Sequence, residues 1–398
     1  MQCRKLSTDV LSRIHPVILS PLVFAGLLVT LWVYKCLMMI IFQNNIIYMP
    51  GVPLGARRER IDDYAGMCSG IKWKEVQILT SDGHLLRGAV AEVRVRNEIT
   101  RELGAAGKPH RRRVIIVYFQ GNASSTPPRL PILSSILSGL SRTPLSLQPQ
   151  VQEVVYTAVV PAYRGYWTST GKPSQRGIEE DGRAIFKFLE TGGYKTQYPS
   201  TPPEPSGIFP EIDGDLDEKV ELIIWGQSIG ANIAMTTLAN HVTERSSNQP
   251  SPAQPTERLP TPAAIILETP FLSIPEMLIE LYPQKWLPYR YLTPFLRNWW
   301  DMHDAAKKLK TAGYSPGRIS ILIAEKDELV GGAQGEKIDA LLRSYFGGEG
   351  KNGQKKLRKV MVKGALHVEC LLKDQGRREV IETIQAVGEG SSREFGFR

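Results

Sequence analysis

Hydrophobic and polar positions follow two regimes along this chain. From Ile14 to Tyr34 the run holds no Asp, Glu, Lys or Arg. About twenty such residues are enough for a helix that crosses a bilayer. Lys35 interrupts the run, and Cys36 to Phe42 is apolar again. Beyond Gln43 the apolar positions come in short runs. Residues 71–79 and 85–95 alternate as half-exposed strands do, around a turn at Thr80-Ser81-Asp82-Gly83. Residues 114–119, 154–161, 220–225, 264–267 and 319–324 are continuous apolar runs, as expected of buried parallel strands, and 358–362 is the last strand. Helices are expected over 126–142, 177–189 and 229–241, with a closing helix over 368–387. This alternation predicts an α/β fold, a mostly parallel sheet with helices on both faces. Polar stretches at 97–112, 193–217, 243–262 and 346–356 read as loops or insertions.

The most informative stretch is Val220 to Asn232, where an apolar run stops at Gly226-Gln227-Ser228-Ile229-Gly230. G-x-S-x-G between a strand and a helix is the pattern that presents a serine hydroxyl at the tip of a tight turn. Such a turn forces the serine backbone into a strained region, and the flanking glycines let strand and helix pass closely. A serine hydroxyl is a poor nucleophile at neutral pH and needs a base that an acid orients in turn. In this kind of sheet the acid and then the histidine follow the serine in the chain.

That order narrows the choice. Of six histidines, His15, His84 and His110 precede Ser228, His241 ends the helix after it, and His303 precedes the penultimate strand. Only His367, in Gly364-Ala365-Leu366-His367, follows the last strand. Asp327, just past the strand over 319–324, is the favoured acid, with Glu325 and Glu328 as competitors. An oxyanion needs two preset N–H donors. The amide of Ile229 is one candidate, and Asn122, behind Gly121 in the loop after strand 114–119, is the other.

With Gln120-Gly121-Asn122-Ala123, Tyr163-Arg164-Gly165-Tyr166, Leu267-Glu268-Thr269-Pro270, Lys326-Asp327-Glu328 and Leu366-His367 added, the chain resembles the membrane-anchored serine hydrolases of the fungal bud-emergence type. These are related to animal α/β-hydrolase domain-containing proteins. The resemblance runs from about Gln43 to the end. It implies an eight-stranded α/β-hydrolase sheet, a triad of Ser228, Asp327 and His367, and an endomembrane, endoplasmic reticulum or plasma-membrane address. Some relatives act on acyl thioesters of lipidated proteins, so a lipid or lipidated protein is an expected partner. Two departures stand out. Gln120 replaces a usual histidine, and Gly331-Gly332 stands where a proline is common, which predicts a less rigid acid loop. No His-x-x-x-x-Asp acyltransferase motif follows any histidine, which favours hydrolysis over acyl transfer.

Composition changes this picture little. The chain has 398 residues, 42% of them hydrophobic, and a formal net charge of +9. The basic clusters match no nucleic-acid reader motif, and an anionic membrane surface suits them better. Cys3, Cys36, Cys68 and Cys370 form no C-x-x-C pair, and no nucleotide, flavin or zinc signature appears, so no cofactor or metal is expected. The first apolar run is too long for a cleaved signal and lacks a small-x-small site, so it reads as a retained single-pass anchor. Arg4, Lys5 and Arg13 favour a cytoplasmic N-terminus, while Arg57, Arg58 and Arg60 weigh against it, and the side of the catalytic domain stays open. The expected organisation is an anchor over 1–45, with its span at 14–34, and a hydrolase domain over 46–398. Residues 270–302, rich in Trp, Tyr and Leu and broken by Pro270, Pro275, Pro283, Pro288 and Pro294, form either a cap lining an acyl pocket or helices covering the sheet edge. The expected activity is hydrolysis of ester or thioester bonds in acyl substrates. A non-catalytic membrane-bound scaffold is the alternative.

Overall fold

The computed structural model describes residues 16–96, 110–143, 151–195, 217–247, 259–347 and 356–390. Most of the four polar stretches, and Cys3, Arg4, Lys5, Arg13 and His15, lie outside the described residues. The strands are β1 (Lys74–Leu79), β2 (Leu85–Arg96), β3 (His110–Phe119), β4 (Val151–Pro161), β5 (Asp217–Gln227), β6 (Ala264–Glu268), β7 (Arg318–Ala324) and β8 (Leu357–Val362). They form one sheet in the order β1-β2-β4-β3-β5-β6-β7-β8. β2 is antiparallel to β1 and β4, and every other pair is parallel.

The period-two alternation of β3 divides the core. Ile115, Val117 and Phe119 face one apolar layer with α4 (Gln175–Glu190), α5 (Ile229–Ser247), α7 (Met302–Thr311) and α8 (Gly332–Phe346). Val114, Ile116 and Tyr118 face the other, with α3 (Leu130–Arg142) and α9 (Asp374–Gly388). Burying both faces requires apolar residues at successive positions, which is why these strands read as continuous runs.

Two boundaries differ from expectation for physical reasons. β3 starts at His110, inside the basic stretch expected to be a loop. Two of its charges are paired across the sheet: Arg111 with Glu153 at 2.8 Å, and Arg113 with Glu92 at 2.7 Å and Glu218 at 3.0 Å. The closing helix begins at Asp374 rather than near 368, because a short 3-10 turn at Cys370–Leu372 precedes it. A Cβ at Gly376 would lie 2.0 Å from the Cys370 carbonyl oxygen, so this fold-back needs glycine there.

The N-terminal helix α1 runs from Pro16 to Ile41 without a break at Lys35, and α2 spans Gln43–Tyr48. At 26 residues α1 is about 39 Å long, longer than the ~30 Å hydrocarbon core of a bilayer. By length and composition it can cross a membrane, and its apolar side chains are exposed. Residues 270–302 hold one eight-residue helix, α6 (Ile274–Leu281), then 3-10 turns at Pro288–Tyr291 and Thr293–Phe295. The prolines keep these pieces short.

Candidate active site

The site gathers at the C-terminal ends of the parallel strands, where open α/β sheets hold theirs. Ser228 follows β5 with φ of 53°, a left-handed conformation that costs a non-glycine residue roughly 1–3 kcal/mol. Its amide donates to the Glu268 carbonyl at 2.8 Å, and its carbonyl accepts from Ala231 at 2.9 Å, which holds the turn. Glycines on either side are sterically required. A Cβ at Gly226 would meet the Gly230 carbonyl oxygen at 2.4 Å, and one at Gly230 would meet that of Phe119 at 2.1 Å.

His367, in the loop after β8, reaches this serine: its Nε2 lies 2.9 Å from Ser228 Oγ. Its Nδ1 lies 2.9 Å and 2.8 Å from the two carboxylate oxygens of Asp327, in the loop after β7. Both side chains are 3% exposed. Asp327 Oδ1 also accepts the amides of Leu329 at 3.0 Å and Val330 at 2.7 Å, which fixes the carboxylate's direction. A proton on Nδ1 facing Asp327 leaves the Nε2 lone pair for the serine hydroxyl. The competing carboxylates turn to the main chain instead. Glu325 accepts from the Gly364 amide at 2.8 Å and Glu328 from the His367 amide at 2.9 Å. His241 stacks on Phe186 at 4.2 Å, and burial lowers it to about 4, while His303 meets the Tyr345 hydroxyl at 3.1 Å.

Asn122 and Ile229 border the same cavity as Ser228 and His367. Among the described residues, neither backbone amide has an acceptor. The Asn122 loop is held by a sharp turn, with Ala123 at φ 56° and Ser124 at φ 62°, and the Ala123 amide donates to the Tyr48 carbonyl at 3.0 Å. Gln120 is fully buried; its carbonyl accepts from Tyr163 at 2.9 Å and its side-chain oxygen from Thr126 at 3.4 Å. The cavity has a volume of about 300 Å³ and is mostly apolar, with walls from residues 270–302 and from α1 and α2.

A crystal structure of an α/β hydrolase from Vibrio vulnificus overlaps 88% of this chain and 92% of its own, with a TM-score of 0.51 at 15% identity. This chain has the α/β-hydrolase fold. An esterase from Pyrococcus furiosus is a looser likeness, with a TM-score of 0.45 at 13% identity over 80% of this chain and 91% of that one, and adds nothing to the assignment. In sequence, this chain resembles Protein bem46 of Schizosaccharomyces pombe, 24% identical over 241 residues, which is 60% of this chain and 60% of that protein. The similarity is thus to the bud-emergence type, and it spans less than two thirds of that relative's length. No family model matches the chain.

Three supporting residues of the site escaped sequence reasoning, because each acts over a long separation in the chain. Arg129 donates to Gln227 Oε1 at 2.8 Å and to the Ala123 carbonyl at 3.2 Å, bracing the Asn122 loop against the residue before Ser228. Asn232, buried on α5, donates to the carbonyls of Phe271 at 2.9 Å and Trp300 at 2.7 Å, so one amide holds both ends of the segment over the site. Glu280 on α6 accepts from the Gly331 amide and from Gln334 Nε2, each at 2.7 Å. The acid loop, expected to be less rigid without proline, is therefore tied to α6. A Cβ at Gly331 would lie 2.0 Å from that Glu280 oxygen, so glycine admits the bond. Among the described residues, no group of three or more His, Cys, Asp or Glu is arranged to hold a metal ion.

Proposed function

We propose that this chain is a membrane-anchored serine hydrolase that cleaves carboxylic ester or thioester bonds of acyl substrates. The observation that carries this reading is the chain of hydrogen bonds from Asp327 through His367 to Ser228, which ends at an apolar cavity. Ser228 Oγ attacks the acyl carbonyl carbon while its proton passes to His367 Nε2. The negative charge that forms on the carbonyl oxygen meets the amides of Ile229 and Asn122. The bond to the leaving oxygen or sulfur then breaks, and that atom takes the proton from His367. Water, deprotonated by the same imidazole, attacks the acyl carbon; the bond to Ser228 Oγ breaks, the acid leaves, and Oγ takes the proton back from His367. Asp327 holds the imidazole in register and stabilises its charged form. No step requires a cofactor. The length and apolar character of α1 favour a single-pass protein of endomembranes or the plasma membrane.

Labelling with a fluorophosphonate tests this, because covalent capture needs an activated serine. The full chain is expected to label and Ser228→Ala to stay unlabelled. A full chain that neither labels nor turns over any ester or thioester favours the non-catalytic scaffold instead.

A further inference from the structure

The cavity beside Ser228 is closed on one side by the anchor. Met39 and Ile40 of α1 and Ile46 and Ile47 of α2 border the same 300 Å³ space as Ser228 and His367. This wall is fixed in place. Gln43, 4% exposed, donates to the Phe295 carbonyl at 3.1 Å and accepts from the Arg297 amide at 2.7 Å. The Arg297 guanidinium caps the end of α1, donating to the carbonyls of Ile40 at 3.0 Å and Ile41 at 3.2 Å. Tyr48, wholly buried, donates to Asn298 at 2.8 Å and accepts from Trp300 Nε1 at 2.8 Å. The direction of α1 therefore sets how the domain sits on a bilayer.

Depth follows from length. Counted from Ile14, where the uncharged run begins, a ~30 Å hydrocarbon core is crossed after about twenty residues, just before Lys35. The Lys35 ammonium lies 4.3 Å from the Tyr289 ring centroid, and Trp32 and Trp286 approach to 5.9 Å. Trp286 and Tyr291 are exposed around the same junction, and amphipathic rings of this kind favour the boundary between lipid and water. Met39 and Ile40 come one turn beyond Lys35, at headgroup depth. Lipid ester carbonyls lie at that depth, with their chains directed into the bilayer.

We propose that α1 and α2 form part of the substrate site, so that a bilayer-resident amphiphile with a single long acyl chain, as ester or thioester, enters sideways between the anchor and residues 270–302. The proposal rests on the hydrolase reading above and adds that the anchor selects the acyl chain. The cavity volume, at about 30 Å³ per water-sized group, holds on the order of ten such groups. Octanoyl chains should therefore be favoured over acetyl.

The test uses the full chain in lipid nanodiscs, with acetyl and octanoyl groups carried on glycerol as the ester arm and on a cysteine peptide as the thioester arm. Burying one methylene is worth about fourfold in kcat/KM. Met39→Trp, which fills the cavity, is expected to lower the octanoyl-to-acetyl ratio of kcat/KM by about tenfold or more. Met39→Ala, which enlarges it, should raise the same ratio. Misfolding cannot produce shifts in opposite directions. Val23→Trp, in the middle of α1, should leave the ratio as it is. Either arm showing these shifts supports the proposal, and the faster arm identifies the source of the chain. An unchanged ratio in both Met39 variants of an enzyme that still prefers octanoyl overturns the anchor wall while leaving the hydrolase reading intact. A native chain that neither labels with fluorophosphonate nor hydrolyses either substrate overturns both.

Discussion

Glu268 shows how a single buried group couples the site to pH. It ends β6, is wholly buried, and accepts from Gln227 Nε2 at 3.2 Å, while its other oxygen has no partner among the described residues. Burial pushes its carboxyl up to about 7. Between the usual carboxylate value and 7, the folded state keeps a proton that the unfolded chain has released. Stability therefore falls as pH rises through that window, by ~3 kcal/mol in all. Glu268→Gln removes that proton exchange. Its melting temperature, relative to the native chain, should rise between pH 5 and pH 8; a constant difference would mean that Glu268 is ionised throughout. The proposed acid of the site is tested at the same scale. Asp327→Asn should lower kcat by about 10⁴-fold because the imidazole tautomer is reversed. Glu328→Gln, which touches only the His367 main chain, should cost under about tenfold. A larger loss in Glu328→Gln than in Asp327→Asn would reassign the acid.

Among the elements, the segment over residues 270–302 depends most on one distant side chain. Asn232→Ala leaves the buried carbonyls of Phe271 and Trp300 without their shared donor, at about 1–3 kcal/mol for each unmet group. A lower melting temperature and faster amide exchange across 270–302 are expected, and unchanged exchange would mean the segment is held by packing alone. What could be read from sequence at this scale follows from the same physics. Strands over 114–119 and 264–267 were legible because both faces are buried, and the Ser228 turn because its glycines are sterically forced. The start of β3 was not legible, since Arg111 and Arg113 become strand residues only through partners on β2, β4 and β5. Chain order singled out His367 as the partner for Ser228 and favoured Asp327 over Glu325 and Glu328 only by its place after a strand, whereas Arg129, Asn232 and Glu280 depend on contacts that no local pattern encodes.

For the molecule as a whole, the join between α1 and the domain is the feature that sequence patterning described least. An apolar run reads as a tether, yet α2 straddles residue 45, and both Gln43 and Tyr48 are buried against residues 295–300. The tether itself is testable. The full chain should remain with membranes through alkaline carbonate extraction, and a chain beginning at Gln43 should be released. Release of the full chain would mean that α1 does not span the bilayer.

The central claim is that Ser228 carries the acyl group between the two half-reactions. Rapid quenching of the full chain with an octanoyl ester, followed by peptide mapping by mass spectrometry, tests this most directly. The account predicts an octanoyl adduct on Ser228, absent from Ser228→Ala and strongly reduced in His367→Ala. Turnover of the ester by Ser228→Ala at the native rate, or an adduct on another residue, would contradict it.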